Sequence, residues 1–345
     1  MPESKLRGRF ASFPFMETSE QLHHLYQSVL LPELRTLELE RTKLLRQILL
    51  SGIAALLLVV ITFLLAIRLS RGGVCLWLFA GLALMLLFFR GQNRLMLFRQ
   101  SFKRKIIRHL LNLFPSSFSY FPEQSIPREI FETSGLFLRS IDRYHGEDLI
   151  TGTCGKTSFS LSEVHAQEKV VVRTRYGTYT CYQTVFRGLF FVADFNKSFR
   201  GRTLVLPDTA EKIFGHLAQT AQSLNIFRGQ LVKLEDPEFE REFVVYGTDQ
   251  VEARYVLSTS LMRRILEFKK ARKEELYLSF FSSRVMVAIR HERPFLEPPI
   301  FSPVLDYKSI CEYYQDISLC TEIIDALNLN TRIWQSETFS TQDGR

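Results

Sequence analysis

Three rhythms of hydrophobic and polar positions run along the chain. Ile48 to Ile67, ILLSGIAALLLVVITFLLAI, is twenty residues without a charge, and Val74 to Phe89, VCLWLFAGLALMLLFF, is another sixteen after RLSRGG. Twenty helical residues rise about 30 Å, the thickness of a bilayer's hydrocarbon core. A soluble core helix seldom lacks a polar face for so long. The pattern predicts a transmembrane helical hairpin, 48–67 and 74–89, with snorkelling by Arg90 lengthening the shorter span. A second span, and no small-residue cleavage site, follow the first, which argues against a signal peptide.

Either side of these spans the rhythm becomes helical and amphipathic. In the N-terminal segment, 1–47, residues 17–46 put Leu22, Leu25, Tyr26, Val29, Leu34, Leu37 and Leu44 near one stripe, with Thr18 or Ser19 to cap it. Pro32 is expected to kink or split that helix. The juxtamembrane helix, 90–114, places Leu95, Phe98, Phe102, Ile106, Leu110 and Leu113 at spacings of three and four, with basic residues opposite. Both helices leave the same membrane face. They can pair as an antiparallel stalk, or the basic one can lie flat on anionic headgroups.

The third rhythm is alternation. Proline- and serine-rich text at 115–130 reads as a linker, followed by an α+β domain at 131–328 and a tail at 329–345. A β-hairpin is predicted about Gly155–Lys156, and a long strand at 178–196 with Gly188 as a bulge or bend. A helix should start at Asp208, with Glu211 completing a capping box. LVKLEDPEF and REFVVYG read as strands, and the text from Asp249 as one helix with Val251, Tyr255, Leu261, Ile265 and Phe268 on its packed face. Another hairpin is expected about Ser282–Ser283, then a final amphipathic helix carrying Ile310, Tyr314, Ile317, Leu319 and Ile324. Strands arriving in hairpins predict a mostly antiparallel sheet.

Charge sharpens this picture. The net charge is +8, yet residues 90–110 alone hold seven Lys or Arg and no acid, while 111–345 sums to −2. The folded C-terminal region is therefore near neutral, which excludes a nucleic-acid-binding module. Arg41, Lys43 and Arg46 precede the first span, seven cations follow the second, and the short loop has two. Both termini are expected in the cytoplasm, with the spans in a bacterial inner membrane. Lys103, Arg104, Lys105 and Arg108 are the candidate membrane-surface residues, each worth ~1 kcal/mol near anionic lipid. Five cysteines without a short paired spacing fit neither a disulfide framework nor a zinc ribbon.

Candidate chemistry is sparse. Gly152-Thr-Cys-Gly-Lys-Thr-Ser158 imitates a P-loop, but Ile150 stands where the first glycine is required, and strand text follows in place of a helix. His145, Glu147, Asp148, Glu163 and His165 could form an acid/base or metal cluster, although no known ligand spacing is present. Their structural alternative is to cap turns or orient backbone amides. Cys154 and Cys181 are read as buried small hydrophobes in preference to nucleophiles. No residue is assigned a catalytic, cofactor-binding or metal-ligating role. The reading is a membrane-anchored protein whose cytoplasmic domain binds a partner or ligand without catalysis. The alternative is a membrane-tethered enzyme, hydrolytic or metal-dependent, using the residues between 145 and 165. No charge lies within either span to mark a transport pathway, though an oligomer could form a pore.

Several blocks of this text resemble a known family. They are Tyr144-His-Gly-Glu-Asp148, Gly152 to Thr157, Phe159-Ser-Leu-Ser-Glu-Val-His-Ala166, Phe186-Arg-Gly-Leu-Phe190, Asp194-Phe-Asn-Lys197, Val232 to Phe239 and Tyr246 to Tyr255. Together, over roughly 130–300, they resemble DUF3137, a bacterial family of unknown function. The resemblance implies a two-span membrane protein with a cytoplasmic domain, and no transferable activity, cofactor or catalytic residue. It also implies a LemA-type membrane protein as a candidate partner.

Overall fold

The computed structural model describes residues 15–68, 73–114, 117–175, 177–195, 199–208 and 229–330. The interspan turn at 69–72, the helix expected from Asp208 and the end of the tail lie outside them. The described residues within 1–113 and 296–316 form one compact unit, and those within 114–295 and 317–345 a second.

The first unit is helical. Helix α1 (Phe15–Leu25) passes through a π-helical turn (Tyr26–Leu30) into α2 (Leu31–Arg68). Pro32 does not split it. In the wide turn just before the proline, the Leu31 N–H reaches back to the Tyr26 carbonyl, and the helix continues. Leu22, Leu30, Leu34, Leu37 and Leu44 are all buried. Helix α3 (Gly73–Phe102) likewise passes through a π turn (Lys103–Ile107) into α4 (Arg108–Leu111). Phe102–Lys103, Ile106–Ile107 and Leu110–Leu111 are buried as adjacent pairs. The wider turn holds this four-residue repeat in line, so the buried face is broader than the single predicted stripe.

Helices α2 and α3 pack antiparallel. Arg94 donates to the Gln47 side chain, and His109 Nε2 lies 3.4 Å from Glu33 Oε1. Beyond Gln47 and Arg94 the pair changes character. Leu49, Leu56, Phe63, Leu78, Phe79, Leu86 and Phe88 are each more than half exposed. The sheltered positions there include the small residues Ser51, Ala55, Thr62, Ala80 and Gly91, which permit close approach of two backbones. The helix Glu20–Leu65 is long and apolar enough to cross a membrane, and only 6% of its most apolar window is buried. A helix of a soluble core would be mostly buried, so the apolar N-terminal helix points to membrane association.

Residues 296–306 lie along this unit as a strap. Arg41 Nη1 donates to the Ile300 carbonyl at 2.9 Å, Glu38 accepts the Val304 N–H at 3.0 Å, and Tyr26 Oη donates to the Leu305 carbonyl at 2.7 Å. Glu38 also accepts from Arg41, and this bond holds its carboxyl below the usual range. Glu297 fixes the start of the strap. Its carboxylate lies 2.6 Å from Lys103 Nζ and 3.0 Å from Arg99 Nε, the latter an ion-pair distance without hydrogen-bond alignment.

The second unit is an antiparallel sheet. Among the described residues its strands are β1 (Phe118–Phe121), β2 (Arg143–Cys154), β3 (Thr157–Thr174), β4 (Gly177–Asp194), β5 (Arg202–Pro207), β6 (Gln230–Leu231), β7 (Phe243–Gly247), β8 (Leu276–Phe281) and β9 (Arg284–Arg290), in spatial order β1-β2-β3-β4-β9-β8-β5-β7-β6. Fold class is thus α+β. Residues 118–121 pair with β2, so part of the expected linker is an edge strand: Phe118 stacks on Phe114 and meets Phe159 edge-on. One face of the sheet holds Val164, Phe186, Phe190, Leu204 and Tyr277 under helix α5 (Arg128–Thr133) and the segment after it. Phe131 and Phe137 bind that layer together, with ring centroids 4.9 Å from Phe190 and 5.2 Å from Tyr277 respectively.

Three predicted elements change on inspection of the fold. Asp236 caps a helix, α6 (Pro237–Glu242), inside text read as a strand; its carboxylate accepts the Glu238 and Phe239 N–H groups, with proline at the first helical position. The helix from Asp249 breaks into α7 (Gln250–Val256) and α8 (Thr259–Arg272), because Ser258 caps a new start. That restart resets the phase: Val251 is 77% exposed and Tyr255 52%, while Ala253 and Val256 are buried instead. The last helix, α9 (Tyr307–Ala326), buries Ile310, Ile317, Leu319 and Ile324 as expected, with Tyr313 buried where Tyr314 was predicted.

Candidate functional site

The long hairpin β3–β4 carries the most unusual surface of the second unit. Strand β2 pairs with β3 only as far as Gln167, and β9 pairs with β4 only from Gly188 onward. Between them, residues 168–174 and 177–183 pair with each other alone, forming a two-stranded ribbon with no third strand among the described residues. A bulge at Ala166/Gln167, which leaves Val185 unmatched on β4, marks its root. There Asp142 accepts the Lys169 N–H at 2.7 Å, and the Arg143 guanidinium lies 3.4 Å over the Tyr182 ring.

Gly188 allows β9 to close against β4. Its φ is +153°, and a Cβ there would sit 2.1 Å from the Ile289 carbonyl oxygen. A bulge or bend was expected at this glycine; the register shift lies instead at Ala166/Gln167, and Gly188 permits a close approach of backbones.

Residues 177–184 are all exposed, as are Lys169, Val171, Arg173, Thr174 and Arg175. Val171 and Tyr179 are each 54% exposed. Cys181, expected in the core, lies on this open ribbon, because the strand leaves the sheet before reaching it; Cys154 is half-buried. Such a segment combines β-branched and aromatic residues with unpaired edges, the geometry that strand addition uses.

The sheet brings four of the five predicted acid and histidine residues, His145, Glu147, Glu163 and His165, onto one face. His145 stands opposite His165, and Glu147 opposite Glu163, across β2 and β3. Glu147 and Asp148 bring carboxylate oxygens within 4.8 Å of one another, but His145, Glu163 and His165 do not join them. Among the described residues, no group of three or more ligand atoms close enough to hold a metal ion includes His145, Glu163 or His165. Glu163, His165 and Asp148 each have a local structural use. Glu163 accepts the Phe295 N–H at 3.0 Å, tying the chain after β9 to the sheet. His165 Nε2 lies 3.0 Å from Thr184 Oγ1, and burial, then the charges of Arg187 and His145, push its pKa down. Asp148 is buried at a bulge with φ +60° and accepts from the Tyr120 hydroxyl.

The P-loop imitation is a two-residue hairpin turn. Cys154 pairs with Thr157, Gly155 has φ +61°, and a strand follows. The Lys156 N–H and the Thr157 hydroxyl both donate to Asn330 Oδ1, at 3.3 and 3.0 Å. These are donors a phosphate cradle would need free. On the opposite side of the sheet from Phe131, a recess has only apolar lining, including Ile265, Phe268, Leu278 and Val287, with no polar group to orient a substrate.

The four membrane-surface candidates separate. Arg104, Lys105 and Arg108 are exposed, but Lys103 is 3% exposed and paired with Glu297. Periodicity had put all basic residues on the outer face; the π turn rotates Lys103 inward.

This architecture defines a class: an antiparallel α+β domain accompanied by a helical unit with a long apolar helix. Residues 184–329 match the model of the family described as "Protein of unknown function (DUF3137)", which supports the resemblance read from the sequence. The match begins at β4, so the earlier blocks from Tyr144 to Ala166 fall outside it. A search of curated proteins finds no match. Among solved structures, the chain is similar to the crystal structure of the mycobacterial trehalose monomycolate transport factor A, TtfA, at 9% identity. That alignment covers 63% of this chain and 91% of the other with a TM-score of 0.28, too low to carry an argument.

Proposed function

We propose that this protein is a membrane-anchored binding module: spans 48–67 and 74–89 fix it in a bacterial inner membrane, both termini face the cytoplasm, and the α+β domain recruits a protein partner without catalysis. The observation that carries the binding reading is the ribbon 168–183, whose outer edges lack a third strand among the described residues. Two strands alone are marginal in water, so a third strand supplied by a partner would stabilise them. The uses found for Glu163, His165 and Asp148 favour binding over the hydrolytic or metal-dependent alternative.

The antiparallel pairing of α2 and α3 supports the two-span reading, because the exposed apolar surface lies beyond Gln47 on one helix and on the matching side of Arg94 on the other. On this reading Lys43, Arg46, Arg90 and Arg94 form the collar nearest anionic headgroups. Arg104, Lys105 and Arg108 stand further up the stalk, about 15–20 Å beyond Arg94 at 1.5 Å per residue. Lys103 leaves the lipid-facing set.

A photo-crosslinking residue at Val171 or Tyr179, in full-length protein in native membranes with a LemA-type protein co-expressed, tests the proposal. Adducts to that protein from both positions are expected, and the adduct from position 179 should be lost when Val171→Pro removes an N–H and disturbs the ribbon. Absence of a protein adduct from either position would refute strand addition at the ribbon.

A further inference from the structure

Midway along the strap stands an aromatic residue that the fold of its own unit does not use. Phe301 is 89% exposed, the highest value among the exposed large hydrophobic residues, and Ser302 and Pro303 beside it are exposed too. The chain is not loose there. Ile300 is held by Arg41 on one side, and Val304 by Glu38 on the other. A Phe-Ser-Pro tip is therefore presented between two fixed points.

The level of that tip follows from the helix it is tied to. Arg41 lies seven residues before Ile48, where the uncharged run begins. At 1.5 Å per residue this is about 10 Å, comparable with the depth occupied by headgroups and interfacial anchors. The intervening surface suits that zone. Lys43 and Arg46 on α2, and Arg94 on α3, are exposed, and no acid lies in the sequence between Arg41 and the first span or from Arg90 to Arg94. Met96 and Leu97 are also 53% and 61% exposed, continuing the apolar surface of the spans toward the strap.

We infer that Phe301 is an interfacial anchor: the strap seats its tip, 301–303, in the headgroup region of the same bilayer that the two spans cross. The inference rests on the two-span reading. Aromatic residues favour this zone because an apolar ring can sit there while the flanking backbone stays wet. The cationic surface beside it selects an anionic leaflet. The strap, held to α2 through Arg41 and Glu38 and to α3 through Glu297, then becomes a third contact with the membrane besides the two helices.

Tryptophan quenching tests this in the full chain. Phe301→Trp is made in a Trp77→Phe, Trp334→Phe background and reconstituted in phosphatidylcholine–phosphatidylglycerol vesicles. A parallel protein retains Trp77 alone, four residues into the second span. The proposal expects Trp at 301 to lose at least half its emission with headgroup- or shallow-labelled spin-lipid, and less with deep-labelled lipid. Quenching of Trp77 with none at position 301 overturns the anchor and leaves the spans standing. No quenching at either position overturns the spans themselves. An emission at 301 that is blue-shifted, unquenched by lipid and dependent on protein-to-lipid ratio would assign the tip to a second copy of the chain, which also overturns the proposal.

Discussion

Removing Glu297 should loosen the strap more than any other single side-chain change in the helical unit. Lys103 is 3% exposed and lies 2.6 Å from this carboxylate. Deleting one partner of a buried pair typically costs about 3–5 kcal/mol, since the remaining charge stays desolvated. Arg99 is 44% exposed, so its pairing with Glu297 adds less than about 1 kcal/mol. Because Glu297 is itself 13% exposed, water reaches the rim of the site, and the low end of the range, about 3 kcal/mol, applies to Glu297→Ala. Lys103→Met removes the charge but keeps the volume, and Glu297 retains Arg99, so about 1 kcal/mol is expected. The pair Lys103→Met, Glu297→Gln should return to within about 1 kcal/mol of the parent. The assay is hydrogen exchange of the Val304 amide, which donates to Glu38, in protein reconstituted in lipid discs. A loss of about 3 kcal/mol in local opening accelerates exchange roughly 100-fold. Exchange changed less than about threefold by Glu297→Ala, or a double variant as loose as that single one, would refute the assignment of Lys103 to a structural pair.

Gly188→Ala should destabilise the sheet domain by several kcal/mol in denaturant unfolding, because the new methyl overlaps the Ile289 carbonyl and the backbone cannot keep φ +153° cheaply. Ser282 and Ser283 both have positive φ, +51° and +62°, at the β8–β9 turn; Ser282→Asn with Ser283→Gly should raise stability by about 1 kcal/mol, and an unchanged midpoint would contradict the strain. Glu38 has a depressed pKa in the fold, chiefly through its bond with Arg41, so its contribution is present above the ordinary value of 4.5 and is lost as pH falls through the lower folded value. Val304 exchange should therefore quicken in acid in the parent, and lose that component in Glu38→Gln. Lys156→Ala should leave folding within about 0.5 kcal/mol and create or remove no ATP affinity, as measured by calorimetry; Lys156-dependent ATP binding would overturn the hairpin-turn assignment.

What could be read from the sequence divides along physical lines. The hairpins about Gly155–Lys156 and Ser282–Ser283 were legible because turn chemistry and alternation are local. The apolar run 48–67 was legible because it lacks charge for its whole length. The π turns were not, since a wide turn only changes which neighbours share a face; Lys103 was accordingly read as an outward cation. Asp236-Pro237 is a helix start that strand-like flanking text concealed. The strap was invisible because its partners, Glu38, Arg41 and Lys103, lie about 190–270 residues away in the chain. The ribbon's exposure depended on where β2 and β9 stop, which no strand's own composition encodes. Glu163 and His165 were correctly placed on one face by alternation, but their partners Phe295 and Thr184 came from other strands and loops.

The central claim is that two spans anchor a cytoplasmic α+β domain, and reporter topology tests it directly. In separate full-length proteins, one compartment-sensitive reporter is inserted after Gly72 and another is fused after Arg345. The account predicts an external reporter at 72 and a cytoplasmic one at 345. Both reporters on the same side would mean that the second apolar segment does not cross, and an external C-terminus would contradict the cytoplasmic placement of the domain.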